Sequence, residues 1–239
     1  MIKVKAVLAL TAAFAFLLSP FLSSGFNGFT ATQFPIPQVD APVQPAGYAF
    51  SIWGLIYLWL LAGSGFGLLF RDTVPEWDAM RWPYIASLTI GAAWIPVAQL
   101  SPVWATILIW VMWAMALAAF LLAGTQDRLW LRTPIALYLG WLTAASCVSL
   151  GLVLAGYGVL SSQIAAIVMI LLALVLSAIV LRLRRDTPEF AVSVIWALIG
   201  VMVANAAPAN WVIVLLSAAG VAALGLQSLR RVPSVNETL

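Results

Sequence analysis

The residues whose chemistry stands out in this sequence are its 12 tryptophans. Tryptophan in membrane proteins concentrates at the membrane–water interfaces, but half of these residues fall deep inside long apolar stretches. A buried indole needs a hydrogen-bond partner for its N–H. Leucine or phenylalanine could fill a core without that requirement. Deep indoles on several helices therefore favour a pocket for a flat, apolar ring, and a tightly packed core is the alternative. The deep positions are Trp53, Trp94, Trp110, Trp113, Trp141 and Trp196.

Other reactive side chains are scarce. The sequence has no histidine, which excludes His-ligated haem and zinc sites and Ser-His or Cys-His catalysis. The single cysteine, Cys147, permits no internal disulfide and no cysteine-only metal cluster. No charged residue lies deep within an apolar stretch, so acid–base catalysis lacks candidates there and ion-coupled transport is disfavoured. We therefore assign no catalytic residue, no metal site and no required cofactor, and an enzymatic role is the least supported.

The composition identifies the environment of these residues. Of 239 residues, 64% are hydrophobic and 8% are charged, and the mean hydropathy is +1.07. A soluble domain has roughly 45–50% apolar and 25% charged residues, so a soluble globular protein is excluded. The apolar runs lack the alternation of barrel strands, which favours an all-α, polytopic bundle in a lipid bilayer. The net charge of +3 indicates orientation in the membrane rather than a nucleic-acid partner.

Eight apolar stretches predict about eight transmembrane helices, because one span needs about 20 apolar residues. Proline stands at or near four predicted starts, where a missing N–H costs little, at Pro83, Pro102, Pro134 and Pro208. The predicted spans are 4–24, 47–70, 83–100, 102–124, 133–156, 160–181, 190–206 and 210–229.

The charges support an even number of spans. When the connections are assigned alternately to the two sides, all 11 Lys and Arg residues fall on one side, and Asp40 is the only charged residue on the other. The positive-inside rule then places both termini in the cytoplasm, and we expect a bacterial inner-membrane protein with a polar tail at 232–239. One alternative is that Lys3, Lys5 and the run 6–18 form a cleaved signal peptide.

One outward connection, residues 25–46, is much longer than the others. It is rich in glycine, proline and aromatic residues. A loop of this length and apolar content predicts a lid over the mouth of the bundle. The alternative is a disordered linker, against which the apolar side chains Phe26, Phe29, Phe34 and Ile36 argue.

Several motifs, in the correct order, resemble the tryptophan-rich sensory protein family (TspO/MBR), which includes the mitochondrial translocator protein, or peripheral benzodiazepine receptor. Residues 45–57, PAGYAFSIWGLIY, are similar to the start of the family's second helix. The tripeptide at 94–96, Trp-Ile-Pro, resembles its Trp-Thr-Pro in helix three, and Val-Met-Trp at 111–113 fits helix four. Pro134 followed by Tyr-Leu-Gly-Trp at 138–141 resembles the family's helix-five motif Pro-Tyr-Leu-x-Trp.

This resemblance implies a five-helix TspO-like core over 1–156 with the long loop 25–46, followed by three additional transmembrane helices over 157–231. It also implies a ligand pocket between helices two and five, beneath the loop. Family members bind porphyrins, and some bind sterols or benzodiazepine-type drugs. By this resemblance, Trp53 and Trp141 match two tryptophans associated with porphyrin binding and its light-dependent breakdown.

The resemblance and the deep aromatic residues together predict the lining of the pocket. Ala145 matches a small residue near the sterol-linked face of helix five. The chain departs from the family at Gly91 and Ser149, where many members have asparagine, and it lacks the sterol-recognition pattern that would follow helix five. Five further side chains are expected to line the cavity, namely Phe50, Tyr57, Trp94, Trp113 and Tyr138.

The leading hypothesis is an integral membrane receptor or sensor that binds a flat hydrophobic ligand, such as a porphyrin or a related tetrapyrrole. Two alternatives are a small-molecule transporter and a structural accessory subunit of a larger, pigment-containing membrane complex. A homodimer is a further option, since Gly63 and Gly67 form a G-x-x-x-G pattern that serves either internal packing or dimerisation.

Overall fold

The chain folds into eight α-helices joined mostly by short connections. The computed structural model describes residues 2–23 and 25–229, and this part of the chain contains no β-strand. Short 3₁₀ helices at Ala31–Gln33 and Gly47–Ser51 interrupt the long loop. The helices are α1 (Ile2–Leu18), α2 (Ile52–Phe70), α3 (Pro75–Leu100), α4 (Pro102–Leu122), α5 (Arg132–Gly156), α6 (Ser162–Leu183), α7 (Pro188–Ala206) and α8 (Trp211–Leu229).

These helices form a polytopic membrane bundle, which confirms the predicted fold class. Seven stretches, one for each helix from α2 to α8, are at least 18 residues long and apolar enough to cross a bilayer. Helix α1 has 17 residues, which at 1.5 Å per residue gives about 26 Å, close to the hydrocarbon thickness of about 30 Å. It packs against α2 and α3, so it belongs to the same bundle.

Two predicted boundaries are wrong for a common reason. Helix α3 begins at Pro75, not near residue 83, and Pro83 lies inside it. Its first turns carry acidic residues and Arg81, which end an apolar run in the sequence although the helix continues and buries Trp77. The first predicted span, 4–24, ends as a helix at Leu18. Apolar content locates a span, but hydrogen bonding decides where its helix ends.

The helix contacts form two rings that share α5. In the first ring, α1 contacts α2, α2 contacts α5, α5 contacts α4, α4 contacts α3, and α3 returns to α1. In the second ring, α5 contacts α6, α6 contacts α8, α8 contacts α7, and α7 returns to α5. Helix α5 is accordingly the most enclosed: 72% of the residues in its most apolar window are buried, against 22% for α8.

Close packing of α5 against α7 depends on Gly140. A Cβ added there would collide with the carbonyl oxygen of Phe190 and lie 3.0 Å from Cβ of Ser193. The Ser193 hydroxyl donates a hydrogen bond to the carbonyl oxygen of Leu137 over 2.7 Å, which fixes the same contact. Small residues allow helix backbones in a membrane to approach closely enough for such contacts.

Ion pairs link the helix termini at one end of the bundle, which we call the basic end. Lys5 Nζ on α1 lies 2.6 Å from an Asp78 carboxylate oxygen on α3. The connection before α5 is tied to α7 by Arg128 and Glu189, 2.8 Å apart. A further pair joins Arg132 to Asp186, and the guanidinium of Arg71 binds Asp127. The other end carries the loop 25–46, and we call it the loop end. Arg230, Arg231 and the predicted tail 232–239 lie outside the described residues.

The Gly140→Ala variant tests the contact between the rings. We expect a loss of about 1–3 kcal/mol of stability, the usual range for overpacking a close contact, measured by thermal or denaturant unfolding in detergent. The matched control is Gly225→Ala on α8, where an added Cβ meets no atom within 4 Å. That variant should be neutral or slightly stabilising, because alanine has the higher helix propensity. Equal stability of the two variants would contradict a close α5–α7 contact.

The pair between Arg71 and Asp127 predicts a pH dependence of stability. The carboxylate of Asp127 accepts hydrogen bonds from Arg71 Nε at 2.6 Å and from Trp77 Nε1 at 3.2 Å. The bond from Arg71 is the main reason that the pKa of Asp127 lies below its ordinary value. A group with a lowered folded-state pKa contributes stability above its unfolded pKa of about 3.9 and loses it as the pH falls through the folded value.

We therefore expect Asp127→Asn to lower the melting temperature at neutral pH and to remove part of its decline below about pH 4. The control is Asp40→Asn at the loop end, because Asp40 has the same left-handed backbone (φ 47° against 52°) and makes no ion pair within the described residues. Thermal unfolding followed across pH 3–7 would contradict the assignment if both variants kept the wild-type profile.

Candidate functional site

Two neighbouring hollows lie under the long loop, inside the first helix ring. The front hollow, between α1, α2, α3 and α4, has a volume of about 200 Å³. The rear hollow, against α5, has a volume of about 40 Å³. Their shared wall consists of the side chains of Phe26, Phe50, Trp94 and Ile109. Pockets for drug-sized ligands measure roughly 300–1,000 Å³, so a large planar ring needs this shared wall to move.

The loop covers both hollows as a folded lid. Phe29 and Phe34 are buried, and their ring centroids lie 5.9 Å apart. Phe26 contacts Trp94 on α3 edge to face, at 4.8 Å between ring centroids. Gly28, with φ of +112°, makes the turn that other residues rarely adopt. The loop is therefore packed on the bundle and is not a solvated linker.

Backbone hydrogen bonds hold the second half of the lid to the helices. Ile36 N–H donates to the carbonyl oxygen of Gly156 at the end of α5, over 2.9 Å. Ala46 N–H donates to the carbonyl oxygen of Gly200 on α7, over 3.0 Å. The Asn205 amide, also on α7, donates to the Pro42 carbonyl oxygen over 2.9 Å. The second helix ring thus positions the cover of the first.

Trp53 and Trp141 lie together beneath the lid. Their ring centroids are 6.1 Å apart and their planes are nearly perpendicular, at 81°. Trp53 lines the front hollow and stacks on Tyr57, with centroids 5.2 Å apart. Trp141 lines the rear hollow and is only 2% exposed. Its indole N–H has no hydrogen-bond partner within the described residues, although a buried donor normally has one.

The remaining predicted lining residues divide into two groups. Phe50 and Trp94 line both hollows, Tyr57 lines the front hollow, and Ala145 lines the rear hollow. Trp113 and Tyr138 line neither.

Trp113 and Tyr138 pack between helices, where their polar atoms form hydrogen bonds to neighbouring helices. The Trp113 indole N–H donates to the Thr143 hydroxyl over 2.8 Å. The Tyr138 hydroxyl lies 2.9 Å from the Ser87 hydroxyl, in hydrogen-bond contact. Of the other deep tryptophans, Trp110 and Trp196 also lie outside both hollows.

A comparison with protein families locates this arrangement among known proteins. Residues 6–229 match the model of a family described as TSPO-like protein. The chain belongs to the TSPO-like family. The match includes α6, α7 and α8 as well as the first ring. Searches of curated proteins and of solved structures each returned no significant match.

Two positions at which this TSPO-like chain departs from the pattern above lie in the hollows. Gly91 faces the front hollow, and a Cβ there would lie 2.6 Å from a ring carbon of Phe16. The ring of Phe16 thus occupies space that an asparagine side chain would need. Ser149 lines the rear hollow, and its hydroxyl lies 2.6 Å from the Thr106 hydroxyl on α4.

Sequence reasoning missed many lining residues of the two hollows, and three of them show why. Phe16 was part of an undifferentiated apolar run on α1, and Ile109 had no polar or aromatic signal. Ala197 belongs to α7, in the second ring, yet it lines the rear hollow. A small apolar residue on a distant span gives no sequence signal that could have identified it.

The lining of both hollows is mostly apolar and carries no formal charge in the described chain. No charged side chain lines either one within the described residues, and no group of three potential metal ligands occurs there. The lining residues that carry polar side-chain groups are Asn27, Gln44, Trp53, Tyr57, Trp94, Trp141 and Ser149. Such a lining suits a flat, mostly apolar ligand with few polar atoms.

Because Trp113 lines neither hollow, we expect it to contribute to the stability of the bundle and not to ligand binding. We expect Trp113→Phe to cost about 0.5–1.5 kcal/mol, because it removes a part-buried hydrogen bond, while the Thr143 hydroxyl keeps its bond to the Leu139 carbonyl oxygen. In a protoporphyrin-binding assay the variant should behave as the wild-type protein does. Unfolding and binding measured on the same preparation give both numbers. A large affinity loss with unchanged stability would place Trp113 in the ligand site instead.

Proposed function

We propose that this TSPO-like membrane protein is a receptor or sensor that binds a flat hydrophobic ligand, with a porphyrin or related tetrapyrrole as the ligand class. The observation that carries the proposal is the perpendicular pair of Trp53 and Trp141, which belong to different helices and each line a hollow under one lid. A ring that stacks on one indole meets the edge of the other, and both are favourable aromatic contacts.

The unpartnered Trp141 N–H supports a ligand with a polar edge. Leaving a buried donor unsatisfied costs about 1–3 kcal/mol. A ligand that brings a hydrogen-bond acceptor to this position recovers that energy on binding. A purely hydrocarbon ligand recovers none of it, so the proposal favours ring systems that carry nitrogen or oxygen atoms.

The lid explains how a ring larger than either hollow is accommodated. The shared wall contains Phe26 from the lid and Phe50 from the 3₁₀ turn before α2, and their ring centroids lie 6.2 Å apart. Displacement of these two side chains would join the hollows into one slot between Trp53 and Trp141. Ligand binding is therefore expected to move the first half of the lid, residues 25–30, while residues 31–46 stay fixed by the hydrogen bonds described above.

The test is the binding of protoporphyrin to the full chain in nanodiscs, followed by the porphyrin absorbance shift. We expect the double variant Trp53→Phe/Trp141→Phe to bind at least about tenfold more weakly, a loss of about 1.4 kcal/mol. The matched control is Trp104→Phe/Trp211→Phe, because those indoles are 62% and 59% exposed and line neither hollow. Unchanged affinity in the Trp53/Trp141 variant would exclude the assigned site.

Binding alone does not separate a sensor from a carrier. The same wild-type protein in sealed liposomes, with porphyrin added to one side, measures whether the ligand crosses the membrane. A receptor or sensor is expected to bind without accelerating this flux. Flux that requires the protein and disappears in the Trp53/Trp141 variant would assign the site to transport instead.

A further inference from the structure

A third space, which we call the outer groove, lies on the far side of the lid from the helix core. It has a volume of about 460 Å³ and is open to the exterior. One wall is the lid between Asp40 and Gly47, and the other is the end of α7, with Ala204 and Asn205, and the turn that follows. The lining is about half polar in character, unlike the hollows, so the outer groove is a water-accessible vestibule at the loop end.

Only one layer of side chains separates the outer groove from the rear hollow. Gln44 and Pro45 line both spaces. These two residues therefore form the partition between the exterior and the apolar interior of the first ring.

The two partition residues differ in freedom of movement. Pro45 packs against Gly200, where an added Cβ would lie 2.9 Å from its Cβ, and the next residue, Ala46, is hydrogen-bonded to the same glycine. The side chain of Gln44 rests on Gly28, where an added Cβ would lie 2.9 Å from Nε2. Its amide makes no hydrogen bond to any described residue. Gln44 can therefore change rotamer without breaking a bond, whereas Pro45 is fixed.

We propose that the Gln44 side chain is the gate through which the ligand passes between the outer groove and the rear hollow. The proposal rests on the proposed function, because it concerns access to the same site. Rotation of the side chain away from Gly28 opens a slot bounded by Pro45 and the first half of the lid.

The charge of the outer groove determines which edge of the ligand can pass the gate first. Asp40 is the only charged residue that lines it within the described chain, and no Lys or Arg does. A carboxylate at the leading edge would meet Asp40 and an apolar hollow without a cation. The ligand therefore enters with an uncharged edge in front, and acidic substituents remain in the groove.

The first test compares rates of protoporphyrin binding by stopped flow, with the full chain in nanodiscs. Gln44→Ala should raise both the association and the dissociation rate constants by about tenfold, and Gln44→Trp should lower both by a similar factor. Because a gate acts on both directions, the Kd should change less than either rate. The matched control is Gln38→Ala in the same loop, since Gln38 bonds to Ile36 and Ser162 and lines none of the three spaces. Wild-type rates in both Gln44 variants would overturn the gate and assign entry from the lipid side.

A second test needs no ligand, so it separates failure of the gate from failure of the proposed function. Cys147 is the only cysteine and is buried, so Cys147→Ala gives a cysteine-free background. In this background, Ala144→Cys places one thiol in the rear hollow. A small, membrane-impermeant methanethiosulfonate reagent added at the loop end should modify it about tenfold faster when Gln44 is also changed to alanine, and more slowly when it is changed to tryptophan.

The two tests together have distinct outcomes. Labelling that responds to Gln44 supports the gate even if protoporphyrin does not bind, in which case only the proposed ligand class fails. Labelling that is the same in all three Gln44 backgrounds overturns the gate even if protoporphyrin binds with the expected affinity.

Discussion

The structure depends on the burial of α5 on every face. Glycines make this possible, because an added side chain at Gly140, Gly151 or Gly156 would run into α7, α6 or the lid, respectively. A helix satisfies its own backbone hydrogen bonds, so it can be enclosed completely without cost to its peptide groups. Because α5 belongs to both rings, it fixes the position of Trp141 relative to Trp53 on α2 and of the rear hollow relative to α7. The second ring therefore contributes to the wall of the rear hollow and to its cover.

Polar groups inside the bundle are mostly paired between or within helices. Buried hydroxyl groups pair across helices, as in the contacts of Ser87 with Tyr138 and of Thr106 with Ser149, each within 2.9 Å. These bonds specify how the spans associate, since apolar contact with a neighbouring helix is no better than contact with lipid. The indole N–H groups of Trp110 and Trp141 both lack a partner in the described chain, and of these two only Trp141 lines a hollow.

The fold class could be predicted from the sequence because a bilayer requires long apolar runs. It also favours Lys and Arg in the connections on one side of the membrane. The sequence placed α3 too late, because the acidic residues and Arg81 in its first turns interrupt the apolar run while Trp77 continues the buried face. The tryptophan pair and the lid could be anticipated from residue type and the family motifs. The sequence could not show that the side chains of Trp113 and Tyr138 point away from the hollows. Helical spacing shows which residues share a face, but not which neighbouring helix that face contacts. Ala197 and Phe16 are ordinary apolar residues until the helices are assembled.

The central claim is that a flat ligand occupies the space between Trp53 and Trp141 beneath the lid. A cryo-EM or crystal structure of the full chain with protoporphyrin bound tests it most directly. We expect planar density spanning the two hollows, with Phe26 and Phe50 displaced and an acceptor atom of the ligand within hydrogen-bond distance of Trp141 Nε1. Density on the lipid-facing surface of the helices, with the wall between the hollows still closed, would contradict it.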